Sequence, residues 1–305
     1  MVLRPDVIGG DSPVHLQRWL EREQARARSL LRDRGALLFR GFSRLDGPDA
    51  FAAVLSGFSP RLRDYIEGQS RRTRLARGVY DSTHYPADQR VTLHNELSYT
   101  ADPPSWLFFG CQVAAATGGE TPILDGRVFW RQLPQDLVAG FTGRGIRYVK
   151  NMHGGRGLGK SWQEHHETED PAVVESYLRR SGAGFEWTGS GGLRIWRTRP
   201  AIARHPGTGE AIWFNQAALW HVSNLGESGA ALRDMVGEAN LPTQAYFEDG
   251  SPIPDDLLAA IRERMWQQAS FFSWVPGDIL ILDNHVVAHG RNRYTGDRLL
   301  HVAMA

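Results

Sequence analysis

Cysteine is almost absent: Cys111 is the only one in 305 residues. No intrachain disulfide can form, and a cysteine-ligated zinc site is excluded. A reducing, cytoplasmic setting fits. Lysine is scarce too, Lys150 and Lys160 being the only ones, so arginine carries the positive charge. We read that as genome composition before function. The chain also lacks a charge of one sign: 35 basic against 34 acidic residues leave a formal net charge of +1. There is thus no electrostatic case for nucleic acid or an anionic membrane as partner. No apolar run is long enough to span a bilayer, and Met1-Val2-Leu3-Arg4-Pro5-Asp6 has no signal-peptide core. Internal repeats, low-complexity tracts and linkers are missing, which predicts one domain over residues 1–305.

Apolar residues make up 41% of the chain and include ten tryptophans, enough for a sizeable core. Helical spacing runs from Val14 to Leu31 after a capping Ser12 and stops at Gly35. Strand character follows at Ala36–Phe42. It returns at Trp106–Val113, Glu120–Asp125, Ile146–Val149, Ile195–Trp196, Ala211–Gln216, Asp278–Leu282 and Arg298–Met304. Further helices are expected at Ala50–Gly57, Phe129–Ala139, Pro171–Leu178 and Pro254–Gln268. Residues 60–90 read as irregular, with Arg71, Arg72, Arg74 and Arg77 on a solvated loop beside Asp81-Ser82-Thr83-His84. The stretch 151–195, rich in glycine and charge, reads as a lid over a barrel mouth. Many short strands with a few helices predict a sheet sandwich or barrel flanked by helices.

The chemistry centres on Arg90-Val91-Thr92-Leu93-His94-Asn95-Glu96-Leu97. Residues two apart on an extended strand share a face, so His94 and Glu96 could hold one metal ion between them. His289, in Asn284-His285-Val286-Val287-Ala288-His289-Gly290-Arg291, is the candidate third ligand. Two imidazoles and one carboxylate on one side of an ion leave the opposite positions open, which suits non-haem Fe(II) used with O2. Arg298 follows after the turn Thr295-Gly296-Asp297, and its guanidinium matches both oxygens of a carboxylate. Thr121 could add a hydroxyl to the same anion.

One motif points elsewhere. Gly154-Gly155-Arg156-Gly157-Leu158-Gly159-Lys160-Ser161 satisfies the phosphate-loop pattern and follows a predicted strand. Ser161-Trp162-Gln163-Glu164-His165-His166 makes a poor first turn, however. The alternation of parallel strands and crossover helices that such folds need is also missing.

Taken together, the sequence resembles the Fe(II)/2-oxoglutarate-dependent dioxygenases of the TauD/TfdA family, in particular the branch with clavaminate synthase and SyrP-like hydroxylases. The shared stretches are Val79-Tyr80-Asp81-Ser82-Thr83, Leu93 to Tyr99, Gly118-Gly119-Glu120-Thr121-Pro122, Trp213-Phe214-Asn215-Gln216, Pro276-Gly277-Asp278 through Asn284, His289-Gly290-Arg291 and Arg298. The resemblance implies a double-stranded β-helix (jelly roll, cupin-like) core with flanking helices. It also implies His94, Glu96 and His289 as iron ligands, and Arg298 with Thr121 on the distal carboxylate of 2-oxoglutarate. Oxidative decarboxylation to succinate and carbon dioxide would drive hydroxylation, or desaturation or ring closure.

Two departures narrow the resemblance. Taurine dioxygenase has an aspartate where this chain has Glu96, and a sulfonate-binding arginine where it has Val302, so a sulfonate substrate is disfavoured. The carboxylate of Glu96 also disfavours halogenation, because the related halogenases lack it. Asn215 and Gln216 are candidates for substrate contact or for support of the ligands. Arg291 could take a substrate carboxylate or brace its strand, and Asn95 could meet substrate or brace the site from behind. His84 and Tyr99 are lesser candidates. Such polar groups suit an amino acid or a small derivative, either free or tethered to a carrier protein.

Overall fold

The computed structural model describes residues 1–68, 72–82 and 85–305. Arg71, Thr83 and His84 lie outside the described residues. The architecture is mainly β with flanking helices, and its core is a double-stranded β-helix made of two facing sheets. The larger sheet runs Val2–Leu3, Ala36–Phe39, Ile279–Asp283, Trp106–Val113, Leu299–Met304, Val79–Asp81, Arg74–Ala76. It is antiparallel except where Val2–Leu3 joins at the edge. The smaller sheet runs Val91–His94, Val287–Arg291, Ile123–Asp125.

The central strands of the larger sheet read as unbroken apolar runs because both of their faces are covered. Leu107, Phe109, Cys111, Leu280 and Leu282 join Leu93, Leu124 and Val287 of the smaller sheet in one core. Phe108, Ile279 and Ile281, whose side chains alternate with these, pack in a second core under the helices Pro13–Arg22, Gln24–Arg34 and Gly47–Ser56.

Several elements are shorter or more divided than the sequence predicts. The expected helix over 14–31 is two helices, interrupted at Glu23, where ψ rises to 21°. Ser12 caps the first, and Gly35 ends the second in a left-handed conformation (φ 73°). The expected helix over 129–139 is also two, Gly126–Gln132 and Gln135–Phe141, divided at Pro134, which cannot continue a helix. Residues 60–90 are not wholly irregular: they supply the edge strands Arg74–Ala76 and Val79–Asp81, too short to show a periodicity. The helix Glu227–Val236 and the strand Thr243–Phe247 had no clear signal in the sequence.

Residues 145–200 and 243–247 build a separate four-stranded antiparallel sheet, ordered Gly184–Trp187, Leu193–Pro200, Gly145–Met152, Thr243–Phe247. The strand before the glycine-rich loop therefore has antiparallel neighbours on both sides, and the helix after it, Trp162–His166, has only five residues. Neither feature is that of a phosphate loop, which needs a parallel sheet and a helix aimed at the anion.

Lys150 lies buried in this sheet, with Nζ 3.2 Å from His165 Nδ1. Burial, with Lys160 adding to it, pushes its amine down to about 7. An unfolded lysine titrates at roughly 10. Between those values the unfolded chain binds a proton that the folded chain does not, so stability rises with pH across that window. Lys150→Met should remove that slope and raise the urea midpoint more at pH 7 than at pH 9; equal gains at both values would show the amine is not desolvated.

Candidate metal centre

The centre begins with a strand pairing. His289 lies directly opposite His94 in the smaller sheet, and their rings approach to 4.5 Å between centroids. The register slips between His289 and Arg291, a bulge of the kind that re-aims a side chain. Gly290 permits it: a Cβ there would sit 2.5 Å from the Val91 carbonyl oxygen. Phe109 of the facing sheet closes on His289 with ring centroids 5.2 Å apart.

Glu96 arrives by a different route from the one the sequence suggests. The strand ends at His94, and the chain turns through Asn95 and Glu96 into Leu97, which has φ 53°. A turn therefore brings the carboxylate round to the imidazoles, where strand alternation was expected to do so. Three buried amides hold that turn. Asn284 accepts from the Glu96 N–H at 2.8 Å and donates to the carbonyls of Glu96 (2.9 Å) and Pro104 (2.8 Å). Asn95 donates to the Asn284 carbonyl at 2.7 Å, and Gln216 Nε2 donates to the Asn95 carbonyl.

One ligand atom each from His94, Glu96 and His289 lies within 4.8 Å of the others. Nδ1 of His94 is 2.8 Å from the Thr92 carbonyl, which directs the other ring nitrogen toward the cluster as a lone-pair donor. Nδ1 of His289 is buried with no hydrogen-bond partner among the described residues. Burial lowers the pKa of His94, and burial together with His94 and Arg72 lowers that of His289 further, so both imidazoles are neutral at physiological pH. Two neutral imidazoles and a carboxylate fit a divalent ion such as Fe(II).

A cavity opens beside these donors. Arg298, Thr121, Phe109, Val302 and Arg72 line it with the two histidines. Arg298 Nε donates to the Gly119 carbonyl at 3.0 Å, fixing the plane of the guanidinium. Burial, with nearby Arg291, lowers its pKa to about 10, which leaves it charged at neutral pH. Thr121 Oγ1 accepts from Trp274 Nε1 at 3.0 Å, so its own hydroxyl hydrogen is left to donate. The strand that follows Arg298 pairs in the larger sheet, not with the His289 strand, so the guanidinium reaches the cavity from the opposite wall.

The polar residues read from sequence as substrate contacts or as supports of the site all have scaffold partners. Asn215 donates to the Ala201 carbonyl and accepts from the Ala217 N–H, and Gln216 is tied to the Asn95 turn. Arg291 spends both terminal nitrogens on the carbonyls of Tyr85, Pro86 and Gln89, although it borders the cavity. Tyr99 donates to the Glu67 carbonyl at 2.6 Å. Sequence reasoning missed Arg72. The sequence places it in a cluster on a solvated loop, yet its side chain is 4% exposed and its Nη2 lies 2.7 Å from Glu96 Oε2. No periodicity or motif marks it; only the fold brings it inward.

Asn284→Ala should loosen the Glu96 turn and weaken Fe(II) binding about tenfold to a hundredfold, as loss of outer support does elsewhere; competition with a chelator under anaerobic conditions measures it. Gly290→Ala should cost more, because it forces the two histidine strands apart. Unchanged metal affinity in both variants would separate the turn and the bulge from the site.

Comparison with known proteins gives a consistent result. The family model for taurine catabolism dioxygenases, the TauD/TfdA family, matches residues 3–304. Dapdiamide synthesis protein DdaC of Enterobacter agglomerans is 37% identical over 276 residues, covering 90% of this chain and 83% of that one. A clavaminate synthase-like protein of Arabidopsis thaliana is 28% identical over 279 residues, covering 88% and 81%. Among solved structures, PvcB, an Fe, alpha-ketoglutarate-dependent oxygenase from an isonitrile synthetic pathway, superposes with a TM-score of 0.57 at 15% identity, covering 99% of this chain and 84% of its own. A taurine dioxygenase from Burkholderia xenovorans gives 0.54 at 16%, covering 93% and 79%.

Proposed function

The chain belongs to the TauD/TfdA family of Fe(II)- and 2-oxoglutarate-dependent dioxygenases, and from that premise we propose that it hydroxylates an amino acid or an amino-acid-derived small molecule in natural-product biosynthesis. The observation that carries the site assignment is the convergence of His94, Glu96 and His289 beside a cavity that also holds Arg298 and Thr121. In this reading the three side chains bind Fe(II), and Arg298 with Thr121 binds the distal carboxylate of 2-oxoglutarate. The bound metal and keto acid supply O2 activation, with 2-oxoglutarate, O2 and R–H giving succinate, carbon dioxide and R–OH.

The protein's part is to orient and to exclude water. The His94–Thr92 contact holds one imidazole, the Asn284 clasp holds the carboxylate, and Phe109 and Val302 keep the cavity wall apolar. A guanidinium desolvated at Arg298 interacts more strongly with a carboxylate than an exposed one would. Val302 offers no charge for a sulfonate, which supports a substrate other than taurine. The relative named for dapdiamide synthesis supports the natural-product role. In this reading residues 151–195, which contribute to the accessory sheet, serve as the lid within a single domain.

A second reading, with substrate tethered to a carrier protein, draws on a groove of about 610 Å³ that has Leu97, the neighbour of Glu96, in its wall.

His94→Ala should abolish succinate formation stimulated by substrate, and undiminished turnover would reject the assignment. Arg298→Gln should raise the KM for 2-oxoglutarate about tenfold or more, the effect expected for losing a charge-assisted pair; an unchanged KM would move the co-substrate site elsewhere.

A further inference from the structure

Arg72 is a buried cation near the centre with two of its three nitrogens unpaired among the described residues. Its Nη2 holds Glu96 Oε2, its guanidinium carbon lies 4.1 Å from the centre of the Tyr65 ring, and the side chain is 4% exposed. Nε and Nη1, on either side of the nitrogen that holds Glu96, are buried with no hydrogen-bond partner among the described residues. Leaving such donors dry and unpaired costs roughly 1–3 kcal/mol each, more for charged groups, so they are met by an ordered water or by a ligand that displaces it.

The other guanidiniums at the cavity have less to offer a substrate. Arg291 has both terminal nitrogens on backbone carbonyls and only its Nε unpaired, and Arg298 sits beside Thr121 at the place assigned to the keto acid. Phe109, Leu300 and Val302 make much of the remaining wall apolar, with Ser82 and the Arg72 guanidinium also lining it. Nη2 has a second hydrogen beside the one given to Glu96, so Nη2 together with Nε or with Nη1 can still meet a carboxylate through two donors in one plane.

We infer that Arg72 anchors a free carboxylate of the substrate beside the metal, while one of its nitrogens keeps Glu96 oriented. The inference rests on the oxygenase reading and narrows it: an acid bound through that carboxyl as a carrier thioester or an amide would have lost the group that Arg72 recognises. The substrate class is therefore a small carboxylic acid, such as an amino acid or N-acyl amino acid with its carboxyl unmodified.

The test uses the full chain with Fe(II) and 2-oxoglutarate under anaerobic conditions. Their charge-transfer absorption is followed while L-amino acids and N-acyl amino acids are added, each paired with its own carboxamide. In the wild type, acids should perturb the band and bind about tenfold or more tightly than their amides, as expected for losing a charge-assisted hydrogen bond. In Arg72→Gln that ratio should fall toward one. A residue that only steadies Glu96 would weaken acid and amide alike and leave the ratio standing, which would overturn the inference. Amides binding as well as acids to the wild type, or no acid binding at all, would overturn it too. Should Arg72→Gln fail to bind iron, Arg72→Lys, which keeps a charge near Glu96 but not the paired donors, is read by the same ratio. Absence of the charge-transfer band in the wild type would instead overturn the oxygenase reading on which the inference rests.

Discussion

The centre depends on the antiparallel pairing of Val91–His94 with Val287–Arg291. This pairing sets His94 opposite His289 across almost two hundred residues of chain. The gap between the rings is set by the strand spacing and the bulge at Gly290, not by any attraction between two neutral imidazoles. Both strands are buried on a core shared with the larger sheet, and a slip of one residue would turn His289 away from the cavity. The hydrophobic register is thus what holds the ligand geometry.

Glu96 is positioned by a different kind of force. It lies beyond the strand, where no ladder holds it, and a clasp of buried amides takes over that task. Asn284 alone satisfies three backbone groups of two segments, in a place where no water is needed to do so. Satisfied polar networks of this type rigidify a core, whereas half-satisfied ones destabilise it. Around this clasp a few buried polar atoms have no partner among the described residues, Nε and Nη1 of Arg72, Nδ1 of His289 and Oδ1 of Asn95 among them.

Charge at the centre follows the same logic. Burial keeps the imidazoles neutral and therefore available to a metal, while Arg72 and Arg298 stay protonated because a guanidinium is so basic that even strong desolvation leaves it charged. The cavity has two neutral imidazoles and the Glu96 carboxylate at its donors and the guanidiniums of Arg72 and Arg298 around them. It is built for anions, and a dianionic keto acid is the kind of co-substrate such a lining accommodates.

The sequence by itself determined the kind of chemistry and the kind of fold. His94, Glu96, His289, Arg298 and Thr121 are of the right residue types, and their order along the chain resembles a known family's. The largely apolar runs at 106–113 and 279–282 mark central strands because burial on both faces leaves no alternation. Tertiary structure decided what those signals could not carry. It places Glu96 on a turn, because a spacing of two residues is the same in a strand and in a bend. It gives Asn215, Gln216 and Arg291 backbone partners, because a polar side chain in a sequence does not reveal which carbonyl will lie beside it. It also buries Arg72 against Glu96, because contacts between segments far from any periodic element leave no local pattern, and only the closing of the fold brings such groups together.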